Sequence, residues 1–359
     1  MTGPRRSAAD RVAVLNTLGG TLEHYTEALR RTLERSGAEV EVSAVFEPSA
    51  GGGSAGRWLY RYLVELAKLA SGVVRRRYSL VVVTWPVLGF LDLLPLAVLR
   101  LLGATPVVVF HDPEPLVRAV GYSSSARRLG RILAKDGEIV VHSAAAYDVL
   151  AAQGLGSLVT VLPHPLLPAA EPPAAAAPRT TVRVLGQYKP DRDLELLRAI
   201  GARSSDGAPA LEIWGRGWPE VEGWAVHDGY VSESRLDELI GTSLAVLIPY
   251  RRFYQSGIAL RAVESFRPFV GPQESSLADL YDVQSPLLVP IADIEDPEAW
   301  MRAVDEACAL DAEELRAIAS DASARSIAAW TQWRRTRTID GREDPPIVTP
   351  SRKRPSTAA

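Results

Sequence analysis

The stretch "SLVVVTWPVLGFLDLLPLAVLRLLGATPVVVF" (79–110) decides the fold class of this 359-residue chain. It is the most apolar part of the sequence, but Asp92, Arg100, Gly103 and two internal prolines divide it into pieces too short to span a bilayer. A β-branched run stands at each end, and a helical pattern lies between them. This arrangement is typical of two strands and a helix within a buried sheet.

The same alternation continues on both sides of this stretch. "RVAVLN" (11–16) predicts a strand, and "TLEHYTEALRRTLERSG" (21–37) predicts a helix because its apolar positions recur every three and four residues. Further strands are predicted at "AEVEVSAV", "EIVVHS" and "LVTVLP". Strands that alternate with helices indicate a parallel sheet covered by helices on both faces.

A stretch rich in proline and alanine, "HPLLPAAEPPAAAAPRT" (164–180), marks a boundary. A second alternation begins at "TVRVLG" (181–186). We therefore predict an α/β protein with two Rossmann-like, doubly wound parallel-sheet domains facing a cleft. The predicted segments are an N-terminal domain (1–165), a linker (166–180), a C-terminal domain (181–338) and a disordered tail (339–359).

Composition restricts the class of protein. The net charge is −3, and residues 1–180 carry 19 Lys and Arg against 15 Asp and Glu, whereas the remainder carries 21 against 28. A basic half joined to an acidic half suggests that only one half faces an anionic partner. The single cysteine, Cys308, fits a reducing compartment. The five histidines lack the spacing of a zinc site. No secretory signal is visible, and we expect a cytoplasmic protein with no nucleic-acid partner.

Ligands of such sheets bind where strands end and helices begin, so these junctions are the candidate sites. In "LNTLGGTLEHY", Gly19 and Gly20 separate the first strand from the first helix. Glycines there let the backbone approach a ligand and leave helix amides free to bind it. A plain tight turn explains the same residues.

A polar pair, His111 and Asp112, directly follows a buried strand in "VVVFHDPEPL". This position favours contact with a ligand in the cleft. The alternative is a capping aspartate beside a hydrogen-bonded histidine.

The loop that opens the second domain, "VLGQYKPDRDLELL", contains Gly186, Lys189 and Arg192. Two cations beside a helix start suit a diphosphate. One alternative is a solvated loop in which Arg192 pairs with a neighbouring aspartate. Another is that "DRD" (191–193) holds a metal, as a DxD pattern does in some glycosyltransferases.

The stretch "FYQSGIALRAVESFRPFVG" (253–271) combines a helix start with a carboxylate two turns later. The amides of Ser256, Gly257 and Ile258 could bind a phosphate, and Glu264 could accept hydrogen bonds from a sugar or ribose diol. The alternative for this helix is a surface ion pair between Arg261 and Glu264.

Taken in order, "LGGTLEHY", "GQYKPDRDLELL" and "SGIALRAVESFRPFV" resemble the motifs of GT-B glycosyltransferases, and most closely those of the family-4 retaining enzymes. The resemblance covers roughly residues 11 to 335. It implies an enzyme that transfers a hexosyl group from a nucleotide sugar to a saccharide or lipid-linked acceptor in the synthesis of a cell-surface polysaccharide or glycolipid. It implies no cofactor and no metal.

The resemblance also implies roles for individual residues. Lys189 and Arg192 would bind the donor diphosphate, with Gly186 in the same phosphate loop, and Glu264 would hold the ribose. Val231, in "GYVSE", would line the base pocket.

In the first domain, Gly19 and Gly20 would lie beside the donor phosphates, and His111 would touch the transferred sugar. These residues complete the predicted site.

One position departs from the family pattern. Ser256 stands where the family has a first glutamate, eight residues before Glu264. A retaining reaction is our prediction. An inverting enzyme would need a carboxylate base in the first domain, for which Asp112 is the nearest candidate. A partner subunit that binds nucleotide without catalysis is the non-enzymatic alternative.

The segment "RWLYRYLVELAKLASGVVRRR" (57–77) predicts a basic amphipathic helix. Such a helix suits peripheral contact with an anionic membrane on its cytosolic side. An ordinary surface helix with a basic solvent face is the alternative.

Overall fold

A computed structural model describes six ranges of the chain, namely residues 11–48, 54–114, 120–167, 180–203, 209–281 and 284–338. Most of the predicted linker and the whole predicted tail therefore lie outside the described residues. The chain divides into two compact units. Residues up to Pro163 and from Ile327 onward form the first unit, and His164–Ser326 forms the second.

The first unit contains a six-stranded sheet in the order β2-β1-β3-β4-β5-β6, with every neighbouring pair parallel. Its strands are β1 (Arg11–Asn16), β2 (Glu39–Ala44), β3 (Leu80–Val83), β4 (Thr105–Val109), β5 (Ile139–Val141) and β6 (Val159–Val161). Its helices are α1 (Glu23–Arg35), α2 (Ala55–Val74), α3 (Leu93–Leu101), α4 (Ser124–Leu133) and α5 (Ala144–Ala152).

The second unit contains another parallel six-stranded sheet, in the order β12-β11-β10-β7-β8-β9. Its strands are β7 (Thr181–Leu185), β8 (Ala210–Gly215), β9 (Ala225–Asp228), β10 (Ala245–Leu247), β11 (Phe269–Pro272) and β12 (Leu288–Val289). Its helices are α6 (Leu194–Gly201), α7 (Glu233–Gly241), α8 (Gly257–Glu264) and α9 (Pro297–Ala309). The last helix, α10 (Ala312–Thr338), begins in this unit and ends in the first.

Alternation along the strands places helices on both faces of the first sheet. Val12 and Val14 of β1 contribute to a core with α1 and α10. Ala13 and Leu15 contribute to a second core with α2. Because successive strand side chains point to opposite faces, an almost wholly apolar strand requires cover on both sides. The predicted α/β class with two doubly wound parallel sheets is confirmed.

Local capping fixes where most helices begin. Six helices follow a Ser or Asp whose side chain accepts the amide three residues later, and this bond satisfies one of the free donors of the first turn. These caps are Ser54, Ser123, Ser143, Asp193, Ser232 and Ser256. Among the residues that the structure describes, no helix combines the length and apolar character needed to cross a membrane.

The end of α10 packs in the core of the first unit. Trp330 and Trp333 are buried there with α1 and the central strands. The sequence assignment of 327–338 to the second domain therefore differs from the packing of these residues. The helix is continuous across residue 326, so its sequence pattern marks an apolar face without revealing which core receives it.

Candidate functional site

In each sheet there is one pair of neighbouring strands whose following connections lead to opposite edges of the sheet. In folds of this kind, ligands bind in the crevice beyond the carboxyl ends of that pair. In the second unit this pair is β7 and β10. The loop after β7 carries the predicted residues Gly186, Lys189 and Arg192, and the segment after β10 carries "PYRR". The two segments meet at a bridge between Arg192 and Tyr250.

Arg192 lies in the loop after β7, where this loop meets the segment after β10. Its side chain is buried, and its guanidinium carbon lies 4.9 Å from the Trp218 ring centroid and 4.7 Å from that of Tyr250. One terminal nitrogen donates to the carbonyl oxygen of Leu185, at the end of β7, over 2.7 Å. The Nε atom is buried without a hydrogen-bond partner. A guanidinium can donate five hydrogen bonds, so this one keeps donor capacity for a ligand.

The charge of Arg192 has no carboxylate partner among the described residues. Burial lowers its pKa, and only the Tyr250 side chain opposes that effect. Asp193 instead accepts two hydrogen bonds from Arg251, over 2.8 and 3.0 Å, and caps α6. The solvated loop in which Arg192 pairs with an adjacent aspartate is therefore not what the structure shows. A buried cation is unfavourable without an anion nearby, so binding an anion in this crevice would be favourable.

The start of α8 lies beside the same loop. A Cβ atom placed on Gly186 would lie 3.0 Å from the Arg192 guanidinium and 3.9 Å from the Ile258 side chain. The Ser256 hydroxyl accepts the amide of Ala259 over 3.2 Å. No described residue accepts the amides of Gly257 and Ile258, so these two donors stand at the positive end of the helix.

Lys189 lies between Gly186 and Arg192 in the same loop, and its side chain is exposed. Its carbonyl oxygen accepts the amide of Arg192 over 2.9 Å, which closes a turn. Within the described ranges, the ammonium group contacts no carboxylate.

Glu264, at the last position of α8, is buried, and its Oε1 accepts the amide of Leu167 over 2.5 Å. The carboxylate thus binds the backbone inside the predicted linker (166–180), at its second residue. Arg261 pairs with Glu233 and Asp237 of α7, so the predicted alternative of an Arg261–Glu264 pair is wrong.

Val231 lies between β9 and α7, half-buried against the core of the second unit. Its neighbour Tyr230 is strongly exposed. A role for Val231 in a base pocket therefore stays a prediction.

In the first unit, the loop after β1 binds an internal anion. The Glu47 carboxylate accepts the amides of Gly20 and Thr21 over 3.3 and 3.1 Å and the Thr21 hydroxyl over 2.5 Å. Burial opposes the ionisation of Glu47, but these hydrogen bonds outweigh burial and lower its pKa. The position of Gly19 is tight, since a Cβ atom there would lie 3.0 Å from the Phe46 ring.

His111 is buried at the end of β4, and its Nε2 lies 3.1 Å from the carbonyl oxygen of Thr84. The carbonyl can only accept, so Nε2 carries the proton. Tyr25 meets the His111 ring edge to face at 4.6 Å. Tyr25 also hydrogen-bonds through its hydroxyl to Nε2 of His142 over 3.0 Å. His111 therefore belongs to a buried, hydrogen-bonded cluster, and Asp112 beside it is half-buried.

A cavity of about 320 Å³ lies beside this edge of the first sheet, between the end of β2 and α2. Phe46 and Tyr60 supply aromatic surface to it, and Arg61, Glu65 and Lys68 supply charge. Aromatic faces with a few charged hydrogen-bonding groups are the usual components of a polar ligand site.

Comparison with known proteins finds similar structures but no similar sequences. No family model matches the sequence, and no curated protein matches it. A sucrose-phosphate synthase from Thermosynechococcus elongatus superposes with a TM-score of 0.57 at 13% identity, covering 93% of this chain and 97% of that one. A UDP-forming trehalose-phosphate synthase from Burkholderia xenovorans gives 0.55 at 13% identity, covering 93% and 99%. An E. coli trehalose-6-phosphate structure bound with UDP-2-fluoro glucose gives 0.55 at 12% identity, covering 92% and 99%.

The chain has the GT-B fold. Sequence identities this low establish the fold alone, so function has to be argued from the site.

Within the second unit of this GT-B chain, the structure brings several predicted residues together. Gly186, Arg192 and Ile258 lie within a few ångströms of one another, and Lys189 and Gly257 adjoin them in sequence. Glu264 lies at the opposite end of α8, bonded to Leu167. The roles assigned to all of these residues stay predictions.

Three residues that contact the predicted loops of one unit or the other were not among the predicted site residues. Trp218 and Tyr250 enclose Arg192, and Glu47 binds the glycine loop. Tyr250 could have been found from its position, because it follows β10 at the strand pair where the connections diverge. In the second unit Trp218 reaches Arg192, and in the first unit Glu47 reaches the glycine loop, through contacts distant in sequence for which the sequence carries no signal.

The "DRD" pattern occupies the turn before α6 in this GT-B chain. The Asp193 carboxylate is bound to Arg251 and to the helix start. Across the described ranges, no three His, Cys, Asp or Glu side chains are grouped so that they could hold a metal ion.

Proposed function

We propose that the chain is a nucleotide-sugar-dependent glycosyltransferase that transfers a hexosyl group to a saccharide or lipid-linked acceptor. Its pathway would be the synthesis of a cell-surface polysaccharide or glycolipid at the cytosolic side of the membrane, with residues 57–77 facing that membrane. The observation that carries the proposal is Arg192, a buried cation without a carboxylate partner at the strand pair where ligands of such sheets bind. An anionic donor supplies the missing charge.

In this proposal, Lys189, Arg192 and the amides of Gly257 and Ile258 hold the donor diphosphate. During transfer, the bond from the anomeric carbon to the diphosphate oxygen breaks, and the diphosphate leaves with the electron pair. The acceptor hydroxyl oxygen bonds to that carbon, and its proton passes to the departing diphosphate. The two cations and the helix amides stabilise the negative charge that develops on the diphosphate. Stabilisation of this kind by fixed donors is usually the largest single contribution to catalysis.

The cavity beside β2 is the proposed acceptor site. Phe46 and Tyr60 offer flat apolar surface to a sugar ring, and Arg61 and Lys68 offer hydrogen-bond donors. His111 would touch the transferred sugar, and Gly19 and Gly20 would lie near the donor phosphates.

The stereochemical outcome at the anomeric carbon is also a proposal. Retention is preferred. In an inverting reaction, Asp112 would accept the acceptor proton instead of the diphosphate. Nuclear magnetic resonance of the anomeric proton in the first product distinguishes the two outcomes.

The proposal is tested by offering UDP-, GDP- and ADP-sugars with membrane lipid extract and excess chelator. We expect product from the wild type, and about 10- to 100-fold less from Lys189→Ala, because a charge-assisted contact to the leaving diphosphate is lost. Arg198→Ala, an exposed arginine on α6, is the matched control and should retain activity.

Two rival functions give other results. A metal-dependent transferase using "DRD" would act only when metal is restored, and Asp191→Ala would be as damaging as Lys189→Ala. A nucleotide-binding partner subunit, suggested by Ser256, would bind nucleotide without turnover even with purified acceptors. Either result would contradict the metal-independent enzyme.

A further inference from the structure

Exposed apolar side chains are concentrated on three helices of the first unit. Of the 14 large apolar side chains that are strongly exposed among the described residues, nine lie on or directly after α2, α3 and α4. They are Tyr60, Leu63, Val74, Leu94, Val98, Leu101, Leu102, Leu129 and Ile132. The described part of the second unit exposes only Tyr230 and Ile291 in this class. Such a concentration is typical of an interaction surface and not of ordinary surface composition.

These three helices lie side by side. Leu99 of α3 shares a core with Leu66 and Leu69 of α2. A Cβ atom on Gly130 of α4 would lie 2.8 Å from the side chain of Leu93 of α3. The exposed side chains of these adjoining helices together make up the surface that we call the three-helix face.

Helix α3 is apolar on both sides. Leu93 and Leu96 face the core, whereas Leu94, Val98 and Leu101 are 51%, 47% and 84% exposed. The exposed positions are four and three residues apart, so they form one stripe along the helix. A helix with apolar residues all round is normally covered on every side, and the outer stripe of α3 has no cover in the described chain.

Positive charge predominates on these three helices. Residues 54–77, 93–102 and 123–135, which contain the three helices and their ends, carry 11 Lys and Arg and a single acidic residue, Glu65. Glu65 pairs with Lys68 over 2.7 Å. Arg77 and Arg100 pair with Glu41 and Glu138 of neighbouring elements, which leaves most of the cations facing solvent.

We propose that the three-helix face docks on an anionic lipid bilayer. Its apolar stripe would enter the boundary between headgroups and acyl chains, and its arginines would contact the anionic headgroups. The predicted contact through residues 57–77 is one edge of this larger surface. A second copy of the chain fits poorly, because a two-fold contact would place the same cationic patch against itself.

The test is co-sedimentation of the full chain with vesicles, without nucleotide, so its outcome is independent of the proposed donor chemistry. Vesicles of phosphatidylcholine containing phosphatidylglycerol should bind the wild type, and pure phosphatidylcholine should bind it much less. Val98→Ser/Leu101→Ser/Ile132→Ser should weaken binding by about tenfold or more, because apolar area is lost from the acyl boundary. Arg57→Gln/Arg75→Gln/Arg128→Gln should weaken it too, and added salt should then have less effect.

Matched controls separate docking from general surface changes. Val42→Ser/Ile291→Ser removes exposed apolar side chains elsewhere, and Arg198→Gln/Arg316→Gln removes exposed cations of the second unit. Both controls should bind like the wild type, with unchanged circular dichroism in every variant. Equal binding by the apolar and control variants would overturn the proposal, as would failure of the wild type to bind anionic vesicles. A dimer in solution that the apolar variant dissociates would overturn it in favour of a second copy.

Discussion

Replacing Arg192 with methionine is expected to lower kcat/KM for the nucleotide sugar by about 100- to 1000-fold and to leave the ligand-free chain at least as stable as the wild type. The first effect follows because the proposed diphosphate site loses its buried cation. The second follows because the guanidinium is desolvated without a carboxylate partner, whereas a thioether of similar length fills the space between Trp218 and Tyr250 at no charge cost. Stability and activity should therefore move in opposite directions.

The measurement pairs donor kinetics with thermal unfolding of the ligand-free protein. Arg198→Met is the matched control, since it removes an exposed arginine from the neighbouring helix and should change neither quantity appreciably. A variant that unfolds several degrees lower and keeps its turnover would contradict the account, because Arg192 would then be a structural residue.

Trp330→Ala is expected to destabilise the first unit by about 3–5 kcal/mol, the usual cost of truncating a fully buried tryptophan. Trp330 is 0% exposed, its indole nitrogen donates to the carbonyl oxygen of Pro163 over 2.9 Å, and it packs with Trp333 at 5.3 Å between ring centroids. Arg334 adds two hydrogen bonds to Ser36. The end of α10 is thus part of the first unit's core.

Hydrogen exchange of the β1 and β3 amides in mild urea reports the opening free energy of this unit alone. Gln332→Ala, an exposed change on the same helix, should leave that free energy within about 0.5 kcal/mol of the wild type. A cost below about 1 kcal/mol for Trp330→Ala would show that the end of α10 is dispensable to this core.

The sequence was sufficient for those features that depend on periodicity and topology. Parallel strands alternating with helices follow from apolar runs such as 79–110. The position of Arg192 at a strand end follows from the alternation alone, because parallel strands end at a common edge. Ser256 as a helix cap follows from residue chemistry.

Features that depend on contacts between distant parts of the chain could not be predicted. Arg192 meets Tyr250, 58 positions later, and this partner depends on the order of β7 and β10 in the sheet. Glu47 reaches the glycine loop only because β2 lies beside β1. Trp330 joins the first core from the far end of the sequence, and no local pattern of α10 distinguishes that core from the other.

We propose that the donor diphosphate binds in the crevice of the second unit. Hydrogen–deuterium exchange of the intact chain, with and without UDP, GDP or ADP under excess chelator, tests it directly. We expect slower exchange at residues 186–192 and at the start of α8 (256–259) for whichever nucleotide binds. Protection confined to the loop around Gly19 and Gly20, or binding that leaves both segments of the second unit unchanged, would contradict it.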